Sequence, residues 1–305
     1  MRALLVVNPQ ATSTTPAGRD VLAHALAATV KLDVVETRHR GHAAELAAQA
    51  RQDGMDLVVA HGGDGTVNEV VNGLLSAESG AVPQLGVVPG GSANVFARAL
   101  GLPRDPIEAT YRLLQAIEGR VYRTVGLGKA DDRWFTFNAG IGWDGDVVAA
   151  VERKRAQGAE ATPSLYARMA FTRFFAMEKR DPALTLELPD GQVFDGVTTA
   201  FLSNTDPWSY VGPRAIHLNP GCTFDGGLGL YAWREVSLGT VFRQTPQILA
   251  RKANPRGKGL IRFDSVPAVT VRCARPMRLQ VDGDYLGTRS AVSFTSVPEA
   301  LRVTL

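Results

Sequence analysis

The sequence predicts an α/β N-terminal nucleotide domain with a mostly parallel sheet, followed by a mostly antiparallel β-sandwich. Residues 1–125 alternate strand-like apolar runs with helix-like segments, an order typical of a parallel sheet covered by helices. From about residue 121, short stretches rich in Val, Thr and Phe lie between Pro and Gly turns, as in a sandwich. A chain of 305 residues has room for two such domains. We expect domains at 1–122 and 123–305, and the last residues could return to the first domain.

The N-terminal elements follow from the period of their apolar residues. We predict strands at Ala3–Val7, Leu32–Thr37, Leu57–Ala60 and Leu85–Val88. Helices are predicted at Gly18–Ala28, His42–Arg51, Val67–Leu75 and Ala93–Leu100.

The C-terminal elements are short and mostly extended. We predict strands at Trp134–Asn138, Ala183–Leu188, Gly196–Ser203, Leu228–Trp233, Ala268–Arg272, Arg278–Val281 and Ala291–Thr295. Helices are expected at Val147–Arg153 and Ser164–Lys179. The second of these sets aromatic side chains beside basic ones, a pattern that fits either an anionic membrane or a helix with one face in the core.

Composition indicates a cytoplasmic globular protein: 45% of the residues are hydrophobic and 21% are charged. No apolar run reaches the roughly 18 residues of a membrane span, and the N-terminus lacks the pattern of a signal peptide. Cys222 and Cys273 suggest neither a disulfide framework nor a zinc site, and the five histidines lack metal-ligand spacing.

Basic residues are concentrated late in the chain. Residues 243–278 contain nine Lys and Arg against one acid, Asp264. This excess fits an anionic partner such as a membrane surface or nucleotide, and it fits a solvated loop equally well.

Residues 61–73, HGGDGTVNEVVNG, are the most informative stretch. A buried strand precedes three glycines that surround Asp64, and a helix follows. Glycine allows φ > 0 and close approach to a ligand, while a helix N-terminus attracts anions, so this turn predicts a phosphate-binding loop. The structural alternative is a tight turn in which Thr66 and Glu69 form a capping box.

Two other turns end predicted parallel strands at the same sheet edge, namely 8–10 (NPQ) and 89–94 (PGGSAN). The chain lacks the GxxxxGK[ST] sequence of P-loop enzymes and the HRD and DFG motifs of protein kinases. Residues 140–145 satisfy GxGxxG, but no strand is predicted after the following helix, so a dinucleotide fold is disfavoured.

The sequences VVNPQA, GGDGTVNEV, GVVPGGSANVFARALGLP, FNAGIGWDGDVV, NPGCTFDGGLGL and VDGD occur in an order that resembles the diacylglycerol kinase catalytic-domain family. The chain is most similar to soluble bacterial lipid kinases, which are related to sphingosine kinases and, more distantly, to NAD kinases. The resemblance implies an NAD-kinase-like nucleotide domain, a β-sandwich lipid domain and an ATP site between them.

The resemblance also assigns roles to residues. ATP would be contacted by Asn8, Thr37, Gly62, Gly63, Asp64, Gly65, Thr66, Val67, Asn68, Glu69, Gly91, Ser92 and Asn94. A structural Mg²⁺ would be bound by Asp225 and the carbonyls of Cys222 and Gly227, and Asp144 would meet the lipid head group. Asp284 is implied as the base, with Asp64 and Asp282 as further catalytic carboxylates. Where relatives commonly have Asp and Glu, this chain has Val95 and Asp284.

The resemblance implies an ATP- and Mg²⁺-dependent lipid kinase whose most favoured acceptor is diacylglycerol, giving phosphatidic acid. Its partners would be a membrane lipid and the anionic inner face of the membrane, with no nucleic acid; a homodimer is left open. An NAD-kinase-like enzyme with a soluble acceptor and a weakly catalytic nucleotide- or lipid-binding regulator are the alternatives.

Overall fold

The computed structural model describes residues 1–77, 79–159, 162–176 and 183–305. The chain forms two compact units, Met1–Gly126 with Glu299–Leu305, and Leu127–Pro298. The boundary between Gly126 and Leu127 lies inside a strand, slightly beyond the position that the sequence suggests. No described helix is both long and apolar enough to cross a bilayer.

The first unit is built on a parallel sheet. Its strands are β1 (Arg2–Val7), β2 (Lys31–Glu36), β3 (Leu57–Gly62) and β4 (Gln84–Pro89), in the order β4-β3-β1-β2. Val303, near the chain end, pairs in parallel with Leu85 of β4. Every residue of β3 is buried, as expected for a strand covered by helices on both faces.

Five helices accompany these strands in the described part of the unit, three of them between strands and two after β4. They are α1 (Pro16–Ala27), α2 (His42–Gln52), α3 (Asp64–Leu74), α4 (Val95–Ala99) and α5 (Pro106–Gly119). The strand and helix assignments predicted for this unit are confirmed, and α5 is an addition. Its start is stabilised by Asp105, whose carboxylate accepts the N–H groups of Ile107 and Glu108.

The second unit is mostly antiparallel. Its strands are β5 (Tyr122–Ala130), β6 (Arg133–Phe135), β7 (Asn138–Ile141), β8 (Leu184–Glu187), β9 (Val193–Val197), β10 (Thr199–Ser203), β11 (Ser209–Val211), β12 (Arg214–Ile216), β13 (Leu228–Trp233), β14 (Leu260–Val266), β15 (Ala268–Val281) and β16 (Asp284–Thr304). The path β14-β13-β10-β7-β15-β16 runs through antiparallel pairs, and β8 and β9 extend from β15. Buried side chains from these strands form one core that includes Phe135, Leu186 and Phe294.

Among the described residues, three helices complete the second unit, α6 (Trp143–Arg155), α7 (Pro163–Ala176) and α8 (Leu238–Ile248). The predicted helix Ser164–Lys179 corresponds to α7, and its last residues lie outside the described range. On α7, Met169 packs against α6 whereas Phe171 and Phe175 are exposed, so this helix has both a core face and an exposed aromatic face.

The strand boundaries of the second unit differ from prediction. The stretch Trp134–Asn138 is divided between β6 and β7, and Gly196–Ser203 between β9 and β10. Conversely, Ala268–Arg272 and Arg278–Val281 belong to the single strand β15, whose register shifts between Arg272 and Met277. A strand with such an irregularity looks like two short strands in the sequence pattern.

Candidate active site

The turn predicted to bind phosphate joins β3 to α3. Gly62 ends β3, Gly63 is the N-cap residue, and Asp64 is the first residue of α3. Gly65 lies in the first helical turn, exposed, with no atom within 4 Å of the position that a Cβ would take. The free helix N-terminus and the open face at Gly65 are the features that an anion-binding turn requires.

The reason for the glycines differs from prediction, because Gly62, Gly63 and Gly65 are not among the residues with positive φ. Gly62 and Gly63 are explained by close packing instead: a Cβ on Gly62 would lie 2.5 Å from Oγ1 of Thr66, and Gly63 lies against a second turn, whereas Gly65 has no such contact. Gly90 donates its N–H to the Gly62 carbonyl at 2.7 Å, and a Cβ on Gly91 would lie 2.6 Å from the Cα of Gly63. Only glycine allows the two backbones this approach.

Asp64 joins its turn to α4, and Asn94 holds the conformation of its own turn. Oδ1 of Asp64 accepts the backbone N–H of Phe96, in the first turn of α4, at 3.2 Å. Asn94 has left-handed backbone angles, and its side chain both accepts the N–H of Gly91 and donates to the Gly91 carbonyl. Asparagine tolerates this conformation better than most residues. Val95, which follows Asn94 and begins α4, is 1% exposed.

Other predicted ATP ligands lie around the same edge of the sheet. Asn8 follows β1 and donates from Nδ2 to Oγ1 of Thr66 at 3.0 Å. Thr37 follows β2 and donates its N–H to the carbonyl of Val7 at 2.8 Å. Ser92 is exposed, whereas Val67 and Asn68 are buried, so Ser92 is the more accessible to a ligand.

The predicted capping box is wrong. Thr66 lies within α3, and the carboxylate of Glu69 accepts the N–H groups of Gly41 at 2.9 Å and Ala43 at 3.2 Å. Glu69 therefore caps α2, the neighbouring helix, where Gly41 is the N-cap residue and has no side chain of its own.

In the second unit, the predicted catalytic turn contains Asp282, Gly283 and Asp284. The buried carboxylate of Asp282 accepts four hydrogen bonds, from the N–H groups of Thr136, Phe137 and Asn138 and from the Thr136 hydroxyl. Burial raises the pKa of Asp282, and these donors oppose that shift. Asp282 is thus engaged in fixing the turn.

Asp284 is more accessible. Its side chain is 20% exposed, and its Oδ2 lies 4.0 Å from Nη2 of Arg133. A carboxylate at the first position of β16, beside a cation and open to solvent, has the access that a general base requires.

The GxGxxG segment has a structural explanation without a dinucleotide. Gly140 leaves room for Asp144, whose Oδ2 would lie 1.9 Å from a Cβ there. Gly142 has φ +91° as the N-cap residue of α6, and a Cβ on Gly145 would lie 2.1 Å from the carbonyl oxygen of Arg278. The three glycines pack α6 against its strands.

Asp144, the predicted acceptor ligand, is buried in the first turn of α6. Its Oδ2 accepts a hydrogen bond of 2.6 Å from Nε2 of Gln280. Burial raises the pKa of Asp144 to about 7, an effect that this hydrogen bond opposes. The sequence patterns did not single out Gln280, because its contacts join residues far apart in the chain.

The predicted metal ligands lie in the loop before β13. Asp225 is exposed, the Cys222 carbonyl accepts the N–H of Asp206 at 3.1 Å, and the Gly227 carbonyl lies 3.8 Å from the Cys222 sulfur. A carbonyl retains a second lone pair, so the three oxygens fit the ligand preference of Mg²⁺. Burial raises the pKa of the Cys222 thiol to about 12.

One group of His, Cys, Asp and Glu side chains in the described part of the chain has metal-ligand spacing: His39, His42 and Glu45, with ligand atoms within 4.8 Å. Its grouping was not expected from the sequence. However, Nδ1 of His42 accepts the N–H of Arg38, which places the proton of the neutral ring on Nε2 and makes that nitrogen a poor ligand.

Comparisons with known proteins agree with these observations. Residues 2–129 match the sequence model of the diacylglycerol kinase catalytic domain. The chain is 29% identical to "Diacylglycerol kinase" of Bacillus subtilis over 261 residues, covering 81% of this chain and 77% of that protein. It is also 29% identical to "Probable lipid kinase YegS-like" of Chromohalobacter salexigens over 281 residues, covering 88% and 82%.

A crystal structure of a diacylglycerol kinase from Bacillus anthracis has the same fold, with a TM-score of 0.73 at 20% identity, over 99% of this chain and 96% of that one. This likeness shows the fold. The sequence relatives are named as lipid kinases, which are phosphotransferases with an alcohol group as acceptor. The N-terminal part of the chain is similar to the diacylglycerol kinase catalytic domain, and most of the chain is similar to bacterial lipid kinases.

Proposed function

We propose that this kinase uses ATP and Mg²⁺ to phosphorylate the hydroxyl of diacylglycerol, giving phosphatidic acid. The observation that carries the proposal is the β3–α3 turn, where an open glycine face and a helix N-terminus adjoin Asp64. Several matched relatives, from Bacillus and Staphylococcus species, are named diacylglycerol kinase. These names support that acceptor over an NAD-like soluble one.

In this proposal the phosphates of ATP lie against the first turn of α3. The N–H groups from Gly63 to Thr66 face them, and Asn8, Thr37, Ser92 and Asn94 flank the nucleotide. Bound Mg²⁺ would neutralise phosphate charge, and Asp64 is the carboxylate placed to hold it or its water. Glu69 is then an indirect contributor, because its carboxylate caps α2.

The acceptor chemistry falls to Asp284. Phosphoryl transfer requires a nucleophile in line with the leaving group and a group that takes its proton. Asp284 is proposed to remove the proton of the lipid hydroxyl, while Asp282 holds the turn and Asp144 contacts the head group. The oxygens of Cys222, Asp225 and Gly227 are proposed to hold a structural Mg²⁺ that stabilises their loop.

We also propose that the protein acts as a peripheral protein at the anionic inner face of the cytoplasmic membrane. On α8, Leu238 is 45% and Phe242 is 77% exposed, one helical turn apart. Exposed cations on α8 and in the segment that follows it are Arg243, Arg251, Lys252, Arg256 and Lys258. Exposed apolar side chains together with cations are typical of interfacial helices.

The activity is tested with labelled ATP, Mg²⁺ and mixed micelles of diacylglycerol, monoacylglycerol, phosphatidylglycerol or a sphingoid base, with NAD as a soluble acceptor. Phosphatidic acid as the main product is the expected result. Turnover of NAD alone would favour the NAD-kinase-like alternative, and ATP binding without any turnover would favour a regulator.

Membrane binding is tested by sedimentation with vesicles of phosphatidylcholine, with or without phosphatidylglycerol. Phe242→Ser and the double change Arg251→Gln, Lys252→Gln should each weaken binding to the anionic vesicles. Ile107→Ser is the matched control, because Ile107 is 74% exposed on α5 beside Asp105 and Glu108. Equal losses in all three variants would contradict the assignment to α8.

A further inference from the structure

Gln280 lies at the centre of a buried polar network in the second unit. The residue is 1% exposed. Its Oε1 accepts the N–H of Gly283 at 2.9 Å, and its Nε2 donates to Oδ1 of Asn138 at 3.0 Å and to Oδ2 of Asp144 at 2.6 Å. Because Gly283 N–H can only donate, the orientation of the Gln280 amide is fixed, and both of its N–H protons are used.

The network connects two segments that lie far apart in the sequence. Gly283 lies between Asp282 and Asp284, in the turn that begins β16, whereas Asp144 lies on α6. Asn138 reinforces the connection, because its backbone N–H donates to Asp282 at 3.0 Å. One amide side chain thus contacts both the acceptor carboxylate and the turn of the candidate base.

Asp144 has charged or titratable neighbours on each element around it. Tyr166 of α7 interacts electrostatically with Asp144, Glu152, Arg155 and Asp284. On α6, Asp146 pairs with Arg278 of β15, and Glu152 accepts the N–H of Tyr285 on β16. Gln280 is an uncharged neighbour of Asp144, and it donates a hydrogen bond directly to the Asp144 carboxylate.

We propose that Gln280 is a positioning residue for phosphoryl transfer, which holds Asp144 and the Asp284 turn in one fixed arrangement and donates a hydrogen bond to the Asp144 carboxylate. This inference rests on the proposed lipid kinase function. Neither role requires Gln280 to touch ATP or the lipid.

The sign of the effect follows from the hydrogen bond. Burial raises the pKa of Asp144, and donation from Gln280 lowers it. Removing the donor therefore raises the pKa further, so a larger fraction of Asp144 is neutral at a given pH. If transfer needs the ionised form, the acidic limb of the kcat profile moves to higher pH.

The test compares Gln280→Met and Gln280→Glu with the wild type, by kcat against pH on diacylglycerol micelles and by KM for ATP. Met has a similar volume but no polar atoms. Glu can still accept from Gly283 but places a carboxylate beside Asp144, so its shift should be the larger. On the acidic side of the limb we expect kcat to fall about tenfold. The midpoint of the limb should move up by about one pH unit, and KM for ATP should change little.

Gln244→Met is the matched control. Gln244 is also buried in the second unit, where its amide contacts Tyr231 and the carbonyl of Arg256. The control should lose stability in urea unfolding as Gln280→Met does, but its pH limb should stay in place. An unmoved limb in both Gln280 variants, or an equal shift in Gln244→Met, would overturn the proposal.

Failure of the proposed function gives a different result. In that case the wild type does not phosphorylate diacylglycerol, and the pH limb is measured on whichever acceptor it does use. A shift there still supports Gln280, and its absence rejects it. A wild type that phosphorylates no acceptor rejects both.

Discussion

Oδ1 of Asp64 accepts the backbone N–H of Phe96 at 3.2 Å, so the predicted catalytic carboxylate also fixes the start of α4. This double engagement makes the choice of substitution important. An asparagine retains an acceptor oxygen for the Phe96 N–H but removes the negative charge, whereas an alanine removes both.

Asp64→Asn should therefore separate chemistry from folding. We expect its kcat to fall at least about a hundredfold, as for loss of a group that stabilises transition-state charge, with a midpoint of urea unfolding close to that of the wild type. Asp64→Ala should lose activity and also about 1–3 kcal/mol of stability, because the Phe96 N–H is left without this acceptor. Full activity in Asp64→Asn would remove Asp64 from the mechanism.

The two carboxylates of the second-unit turn should respond differently to substitution: Asp282 by a loss of stability and Asp284 by a loss of activity. Asp282 accepts four buried hydrogen bonds, so Asp282→Asn, which turns one acceptor into a donor, should lower the free energy of unfolding by about 1–3 kcal/mol. Asp284 is partly exposed, so Asp284→Asn should unfold nearly like the wild type yet lose most of its kcat. Urea unfolding and labelled-ATP turnover on the same preparations measure both quantities. An active Asp284→Asn enzyme would rule Asp284 out as the base.

The extent to which the sequence predicted the molecule depended on how far apart the interacting residues lie. The fully buried run of β3 and the helical spacing of α3 are local signals, and both elements were predicted. The start of α5 also has local signals, Asp105 and Pro106, although the alternation of strands and helices does not require a helix there. In α8, Pro246 lies inside the helix and interrupts the helical pattern.

The site residues show the same dependence. The GGDGT turn is recognisable because its glycines adjoin Asp64 in sequence, yet the packing of Gly62 and Gly63 against Gly90 and Gly91 is a tertiary contact. Likewise, nothing in the sequence around Glu69 indicates that its partners are Gly41 and Ala43, on another helix. Such contacts are set by the packing of elements, which periodicity does not encode.

Gly91 and Gly65, one in each turn, allow substitutions that separate an effect on stability from an effect on nucleotide binding. In Gly91→Ala the new Cβ would meet the Cα of Gly63 at 2.6 Å, so the turns must separate, and we expect both lower stability and weaker nucleotide binding. In Gly65→Ala the Cβ meets nothing and the helix gains about 0.5–1 kcal/mol of propensity. That variant should unfold at equal or higher urea concentration, with a raised KM for ATP if phosphate lies against this face. An unchanged KM in Gly65→Ala would place the phosphates elsewhere.

Glu69 is the residue for which the resemblance and the structure suggest different tasks. Its carboxylate adds a negative charge and two acceptors to the N-terminus of α2, so Glu69→Gln should lower the free energy of unfolding by about 1–2 kcal/mol. If capping is its whole task, KM for ATP and kcat per folded molecule should stay within about twofold of the wild type, a change below about 0.5 kcal/mol. A glutamine replaces one of the two acceptors by an N–H donor, so either Gly41 or Ala43 loses its partner while the size of the side chain is retained. A tenfold rise in KM for ATP in a variant of wild-type stability would instead assign Glu69 to the nucleotide, because the loss of a helix cap must first appear in the unfolding curve.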